Sequence, residues 1–103
     1  MRKANILVVD DNNALAEGIA DVLDAKGYHV SVANDGFAAL ELVRKDPFDI
    51  VLVDIRMPGM NGVETYRGIK EVRPKIKAIM MTAYSVEDLV EEAIQEGVCK
   101  ILK

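Results

Sequence analysis

Four side chains that can take part in chemistry each follow directly on a short apolar run. Asp10 and Asp11 follow the first run, Asp54 follows the third and Thr82 follows the fourth. An open parallel sheet forms its sites at the carboxyl ends of strands, near the point where the strand order reverses. If each run is a strand of such a sheet, we expect the four side chains to meet in one cleft.

Three carboxylates in one cleft would repel one another. At a separation of about 4 Å, each like-charged pair costs roughly 4 kcal/mol at an effective dielectric constant of about 20. A raised pKa or a bound cation relieves this cost. The oxygen-only set of Asp10, Asp11 and Asp54, without His or Cys, favours Mg²⁺ over zinc. Such an ion also steadies phosphoryl oxygens, and an aspartate can accept a phosphoryl group as a nucleophile.

Each of these residues also has a plain structural interpretation. Aspartate pairs after strands often cap helices, and a threonine after a strand is commonplace. The joint placement of all four after strands one, three and four is much harder to explain by chance. We therefore treat them as one candidate site.

The elements that would position this site alternate strictly along the chain. Solid apolar runs predict buried strands, and apolar residues at helical spacing predict amphipathic helices. The predicted strands cover residues 6–9, 29–32, 50–53, 78–81 and 98–102, and the predicted helices begin near residues 12, 35, 63 and 85. The order βαβαβαβαβ predicts an α/β fold with helices on both faces of a parallel sheet. We expect the flavodoxin-like, doubly wound, five-stranded sheet of order 2-1-3-4-5.

The apolar spacing also predicts which helix residues face the core. These are Leu15, Ile19, Val22, Leu23, Phe37, Leu40, Val43, Leu89, Val90, Ala93 and Ile94. Ser85 is predicted to cap the fourth helix. Cys99 is expected to be a small buried hydrophobic residue of the fifth strand, and His29 a structural or surface residue.

Composition bounds the class of protein. With 103 residues, 50% of them hydrophobic, one domain with a single core is expected. The acidic pI of about 4.9 disfavours direct binding of nucleic acid. The first apolar run, of about four residues, is too short for a signal peptide, and no run approaches the roughly 20 residues of a membrane-spanning helix. The single Cys99 fits a reducing compartment, so we expect a soluble cytoplasmic protein.

Three stretches carry a resemblance along essentially the whole chain. They are ILVVDDN at residues 6–12, IVLVDIRMPGMNG at 50–62 and AIMMTAYS at 78–85. The chain resembles the receiver domain of bacterial response regulators. The second stretch is the most specific, because it places Asp-x-x-Met-Pro-Gly-Met-Asn-Gly after an apolar strand.

The resemblance implies a role for each residue of the candidate site. Asp54 accepts a phosphoryl group from a phosphohistidine on a sensor histidine kinase or phosphotransfer protein. Asp10, Asp11 and Asp54 hold Mg²⁺ with the backbone carbonyl of Arg56, and the hydroxyl of Thr82 turns toward the phosphoryl oxygens. The domain would be a switch that assists its own phosphorylation and dephosphorylation, not an enzyme with a separate substrate. A homodimer is compatible with this function, and no membrane contact is expected.

Two positions depart from the family pattern. The active-site lysine would fall at position 104, one past the end of the chain, and Lys103 replaces it only if the loop is one residue shorter. The aromatic residue expected three positions earlier is Ile101, so Tyr84 is the nearest aromatic candidate. The chain also stops at its fifth predicted strand, where such a sheet normally carries another helix. We therefore expect residues 1–103 to be a receiver domain truncated at its C-terminus.

Other functions fit the same fold. A haloacid-type phosphatase also uses an aspartate nucleophile, but it requires D-x-D-x-[TV] after the first strand, and Asp10-Asp11-Asn12 does not match. A phosphorylation-independent interaction module and the receiver module of a hybrid histidine kinase stay open as alternatives.

Overall fold

Five strands alternate with four helices in the computed structural model, which describes residues 3–82 and 87–102. The strands are β1 (Asn5–Val9), β2 (His29–Ala33), β3 (Ile50–Asp54), β4 (Lys77–Met81) and β5 (Lys100–Leu102). The helices are α1 (Asn13–Ala25), α2 (Gly36–Lys45), α3 (Gly62–Val72) and α4 (Glu87–Glu96). The predicted cap Ser85 and the candidates Tyr84 and Lys103 lie outside the described residues. Within the described residues, no helix has the length and apolar character needed to cross a membrane.

The strands form one parallel sheet in the order β2-β1-β3-β4-β5, which confirms the predicted fold. Val9 of β1 pairs with both Ala33 of β2 and Val53 of β3. Asp54 at the end of β3 is level with Met81 at the end of β4. Because this register brings the central strands to an end together, the residues that follow β1, β3 and β4 lie at one edge of the sheet.

Helices cover both faces of the sheet, so each central strand is apolar on both sides. On one face Ile6 and Val8 pack with Ala16 of α1. On the other face Leu7, Val9 and their neighbours in β3 and β4 form the larger core with residues of α2, α3 and α4. The two central strands are thereby held from both sides, which makes their carboxyl ends rigid supports for a site.

Side-chain caps fix where three of the helices begin. The Asn12 side chain accepts a hydrogen bond from the Leu15 N–H, and the Asp35 side chain accepts one from the Ala38 N–H. Asn61 and Glu64 form a reciprocal capping box at the start of α3. Asn12 and Asp35 follow within three residues of a strand end, so those two connections are short, whereas Asn61 ends the longer loop after β3.

Four large side chains that were predicted to face the core are exposed instead. Leu15, Val22, Phe37 and Ile94 have exposed fractions of 52%, 57%, 64% and 62%. Three of these four adjoin a small buried residue, which is Ala16, Gly36 or Ala93. Each residue step turns a helix by about 100°, so where the small residue faces inward its large neighbour lies on the flank. The prediction was wrong because apolar spacing does not show which of two adjacent residues faces inward.

The prediction for Cys99 was also wrong. Its side chain is exposed, and the residue lies just before β5 instead of within it. The Cys99 N–H donates to the Ala78 carbonyl oxygen over 2.8 Å, so the backbone is paired even though the thiol is not covered. β5 is a three-residue edge strand, and an edge strand has a neighbour on only one side.

His29, which was predicted to be structural or at the surface, is exposed.

A charged cluster joins α3 to the C-terminal end of α4. Arg67 contacts Glu96 at 2.7 Å and Glu92 at 3.2 Å. Lys70 reaches both the carboxylate of Glu96, at 3.0 Å, and its main-chain carbonyl, at 2.9 Å. The hydrogen bonds from Arg67 and Lys70 hold the pKa of Glu96 below its ordinary value. We call these four residues the α3–α4 clamp.

Replacing Glu96 by Gln should loosen α4 without unfolding the domain. Single exposed ion pairs contribute little, but Glu96 connects two cations in one network. We expect amide hydrogen exchange in residues 87–96 to become roughly threefold faster at low salt, with the difference shrinking at high salt because salt screens the pairs. The Glu96 carboxylate stabilises α4 fully above its ordinary pKa, and this stabilisation is lost as the pH falls through the lowered pKa of the folded state. Exchange in wild type should therefore approach that of the variant in acid.

Glu91→Gln is the matched control, since Glu91 is an exposed residue of α4 outside the clamp. Hydrogen-exchange mass spectrometry on the three proteins measures the effect. Equal exchange of α4 in wild type and Glu96→Gln at low salt would show that the clamp does not hold the helix.

Candidate functional site

The structure brings Asp10, Asp11 and Asp54 together at the carboxyl edge of the sheet. Asp54 is the last residue of β3, and the other two directly follow β1. One carboxylate oxygen of each residue lies within 4.8 Å of the others. Asp10 is buried, Asp54 is half-buried and Asp11 is exposed, so the cluster opens to solvent on one side.

Thr82 and Arg56 line the same cleft, which has a volume of about 900 Å³. Thr82 directly follows β4 and has an exposed fraction of only 8%. Its N–H donates to the carbonyl oxygen of Leu102 over 3.0 Å, which ties the end of β4 to the end of β5. All five predicted site residues therefore border one cavity. Leu15 and Leu102 form an apolar part of its rim.

The surroundings of Asp54 make its negative charge unfavourable. Burial, together with the negative charges of Asp10 and Asp11, raises the pKa of Asp54 to about 6, against the opposing effect of the hydrogen bond from the Arg56 N–H. Burial also raises the pKa of Asp10, partly offset by the Asn12 N–H. A divalent cation bound among the three carboxylates would remove their mutual repulsion and offset the cost of burying their charges.

Backbone N–H groups orient two of the carboxylates. The Asn12 N–H donates to Oδ1 of Asp10 over 2.9 Å, and the Arg56 N–H donates to Oδ1 of Asp54 over 3.3 Å. These bonds come from the loops that follow β1 and β3, so each loop fixes the carboxylate next to it. The donor set, with oxygen ligands alone, fits a hard divalent cation. Within the described residues, this is the one cluster of three acidic, His or Cys residues with that spacing.

Gly62 lets the start of α3 approach the backbone at the end of β3. A Cβ placed on Gly62 would meet the carbonyl oxygen of Asp54 and would lie 2.7 Å from the Cα of Ile55. The Gly62 N–H donates to the Ile55 carbonyl oxygen over 2.9 Å. Gly59, in the loop between, has φ of +77°, a conformation that favours glycine. The geometry of this loop therefore requires glycine at positions 59 and 62.

Asn34, which was not predicted as a site residue, contacts the loop that carries the acidic pair. Its side-chain nitrogen donates to the carbonyl oxygen of Asp10 over 3.2 Å. Asn34 follows β2, and only the tertiary pairing of β1 with β2 brings it to the site. The one signal in the sequence is its position after a strand, next to the helix cap Asp35.

A second cavity lies at the opposite edge of the sheet. It has a volume of about 560 Å³ and is lined by residues at the amino ends of β1 and β2, His29 among them. Asp24 and Asp46 also border it, but they do not form a cluster of three ligands. The chemistry is therefore concentrated at the carboxyl edge.

The family model for the response regulator receiver domain matches residues 6–103. The chain belongs to the response regulator receiver domain family. Such a domain is a phosphoacceptor switch in two-component signalling and interacts with histidine kinases or phosphotransfer proteins.

The chain is similar in sequence to bacterial regulatory proteins. ZraR, a transcriptional regulatory protein of Klebsiella oxytoca, is 45% identical over 95 residues, which are 92% of this chain and 21% of that protein. Sporulation initiation phosphotransferase F of Bacillus subtilis is 35% identical over 97 residues, which are 94% of this chain and 78% of that protein. The chain thus spans about a fifth of ZraR and about four fifths of the phosphotransferase.

Solved structures show the same fold. A CheY-like receiver domain protein of Methanospirillum hungatei superimposes with a TM-score of 0.92 at 28% identity, covering 97% of this chain and 80% of that one. A response regulator of Burkholderia pseudomallei gives a TM-score of 0.90 at 26% identity, covering 97% and 59%. The Burkholderia structure contains a phosphorylated aspartic acid and a calcium ion.

Adding one methyl group at Gly62 should destabilise the domain, because that group would overlap backbone that cannot rotate away. For Gly62→Ala we expect a loss of about 1–3 kcal/mol in the free energy of unfolding. Gly18→Ala is the matched control: a Cβ there meets nothing within 4 Å, and alanine is the better residue inside a helix by about 0.5–1 kcal/mol. Urea denaturation of both variants should give opposite signs. A neutral Gly62→Ala would disprove the close approach.

Removing the charge of Asp54 should stabilise the metal-free domain at high pH. The pKa of about 6 in the fold exceeds the ordinary 3.8, so the folded state takes up the proton first and stability falls as the pH rises through about 6. After allowance for solvent screening, we expect Asp54→Asn to gain about 1 kcal/mol at about pH 8 in EDTA. The gain should shrink as the pH falls and vanish below about pH 3, where the carboxyl is largely protonated in both states.

Urea denaturation at the two pH values measures this difference. Asp21→Asn is the control, because Asp21 is exposed on α1 and does not line the cleft. Excess Mg²⁺ should stabilise wild type more than Asp54→Asn. A variant no more stable than wild type at high pH would contradict the crowding of charge at this site.

Proposed function

We propose that this receiver domain accepts a phosphoryl group on Asp54 from a phosphohistidine donor and thereby changes a partner-binding surface. The observation that carries the proposal is the convergence of three carboxylates within 4.8 Å at the carboxyl edge of the sheet. One of them, Asp54, ends the central strand β3 and is open enough for a donor to reach.

The remaining acidic residues suit metal binding. Asp10 and Asp11, with Asp54 and the carbonyl of Arg56, are the proposed ligands of Mg²⁺, which keeps several waters and accepts oxygen ligands. When bound, Mg²⁺ neutralises charge on the phosphoryl oxygens. The buried Asp10 has its carboxylate oriented by the Asn12 N–H, which favours a fixed ligand. The exposed Asp11 completes the cluster on the solvent side.

The transfer needs Asp54 as a carboxylate. One of its oxygens forms a bond to phosphorus while the bond from phosphorus to the donor nitrogen breaks. The electron pair of that bond stays on the donor imidazole, and the product on this chain is an acyl phosphate. The Arg56 N–H, which donates to Oδ1 of Asp54, stabilises the reactive charged form and aims the side chain into the cleft.

Phosphorylation would act on α4 through Thr82. The modified side chain carries about −2 charge and additional acceptor oxygens, and Thr82 lines the same cavity. A hydrogen bond from its hydroxyl would draw the end of β4 toward Asp54. The α3–α4 clamp holds the far end of α4, so displacement would be largest at the end near the site. A coupling of about 1–3 kcal/mol changes partner affinity by about 5- to 150-fold.

The donor is proposed to be a sensor histidine kinase or a phosphotransfer protein. The exposed Leu15 and Leu102 at the rim of the cleft offer apolar contacts for such a partner beside the acceptor. An aspartate nucleophile also serves phosphatases, but a family model matching residues 6–103 as a receiver domain supports the switch.

Asp54→Asn should abolish incorporation of phosphate from a small acyl phosphate in the presence of Mg²⁺. An amide has no nucleophilic carboxylate oxygen, so no acyl phosphate can form. Intact-mass spectrometry measures the product, and Asp21→Asn, on the surface of α1, should be labelled like wild type. Asp10→Asn and Asp11→Asn should require more Mg²⁺ for the same rate. Undiminished labelling of Asp54→Asn would reject this residue as the acceptor.

A second measurement on wild type distinguishes the proposed phosphoacceptor from a phosphorylation-independent interaction module. NMR spectra with Mg²⁺ and beryllofluoride, a phosphoryl mimic, should show large shifts around Thr82 and in α4. A protein that binds neither ligand and forms no acyl phosphate would support the interaction module instead.

A further inference from the structure

Asn34 spans the loop that carries the acidic pair. Its Nδ2 donates to the carbonyl oxygen of Asp10 and to Oδ1 of Asn13, each over 3.2 Å. Asp10 begins the short connection between β1 and α1, and Asn13 is the first residue of α1. One side chain from the next connection along the sheet edge therefore contacts both ends of this loop.

The backbone of Asp10 is held on both sides by the end of β2. Pairing of β1 with β2 ends at Val9 and Ala33. Beyond that pair, the Asp10 N–H donates to the Ala33 carbonyl oxygen over 3.1 Å, and the Asp10 carbonyl accepts from Asn34. Without Asn34, the backbone of Asp10 would lose one of these two hydrogen bonds, and Asp10 is the residue whose buried carboxylate belongs to the cluster.

We propose that Asn34 is a positioning residue for the metal site, a role that rests on the proposed function. It does not touch the ion or the phosphoryl group. It fixes the two ends of the loop, and so holds Asp11 beside Asp10 and Asp54 before the cation arrives. Mutual repulsion of the three carboxylates would otherwise drive the exposed Asp11 outward, and the cation would have to gather its ligands at a cost in affinity.

An amide is suited to this position. Its nitrogen carries two hydrogens, and both acceptors are oxygens. A carboxylate at position 34 would place oxygen against the same two oxygens, and alanine would leave both without this donor. The contact with Asn13 is also exposed, so its loss should change the geometry of the loop more than the stability of the domain.

The test compares Mg²⁺ binding by wild type, Asn34→Ala and Asn13→Ala. Groups that orient metal ligands typically alter affinity by about 10- to 100-fold, and we expect the lower end, about tenfold weaker binding, for Asn34→Ala because it acts through the backbone. Asn13→Ala removes one of the two acceptors and should weaken binding by about threefold. NMR titration of the amides of residues 10–13 gives the dissociation constants. Gln95→Ala, an amide replaced on the exposed face of α4, is the control.

A second readout separates positioning from a general structural effect. The rate of labelling by a small acyl phosphate should reach within about twofold of wild type at saturating Mg²⁺, while the Mg²⁺ concentration for half the maximal rate rises with the dissociation constant. Metal-free thermal unfolding should stay close to wild type. A fall in the saturated rate with an unchanged dissociation constant would overturn the proposal.

The outcomes distinguish this inference from the function on which it rests. If wild type binds no Mg²⁺, the proposed metal site fails and Asn34 has nothing to position. If wild type binds Mg²⁺ and Asn34→Ala binds it equally well, only the role of Asn34 is overturned. Should Asn34→Ala unfold, Asn13→Ala decides, because it keeps Asn34 in place. An unchanged dissociation constant for Mg²⁺ in Asn13→Ala would overturn the positioning role of Asn34. Weaker Mg²⁺ binding by that variant would support it.

Discussion

Repulsion among Asp10, Asp11 and Asp54 is the interaction on which the rest of this domain depends. The fold holds three carboxylates within 4.8 Å, and burial together with the charges of its two neighbours raises the pKa of Asp54 to about 6. The same crowding that destabilises the metal-free cleft makes a divalent cation favourable there, since one ion relieves every pair at once. The same repulsion would therefore both favour binding of the ion and destabilise the folded domain when the ion is absent.

The carboxylates can be held this close only where many contacts fix the backbone that carries them. β1 and β3 are central strands with cores on both faces, and neither can shift to separate the carboxylates without disturbing buried side chains. Contacts at the strand ends extend this rigidity into the loops. Gly62 lies against the backbone of Asp54, and Asn34 bridges the loop after β1. Stability in the sheet therefore offsets instability in the cleft.

The sequence could predict the parts of this arrangement that follow from chain order. The alternation of solid apolar runs with amphipathic stretches predicted a parallel α/β sheet, and the expected flavodoxin-like strand order placed Asp10, Asp54 and Thr82 at one edge of it. Side-chain burial on the helices could not be predicted in the same way. Phe37 is exposed while its neighbour Gly36 is buried, and apolar spacing does not show which of two adjacent residues faces inward. Asn34 was missed because its partners belong to another connection.

Helix α3 gives Asp54 a second physical connection to α4, distinct from the one through Thr82. Its first residue, Gly62, packs on the backbone of Asp54, and its later turns carry the cations that hold Glu96. Under the proposed function, a shift of Asp54 would therefore act on the C-terminal end of α4 through α3, a helix of eleven residues. Thr82 precedes the N-terminal end of α4 in the chain. Because the clamp would limit movement at one end while Thr82 acts near the other, the response of α4 would be a tilt about the clamp.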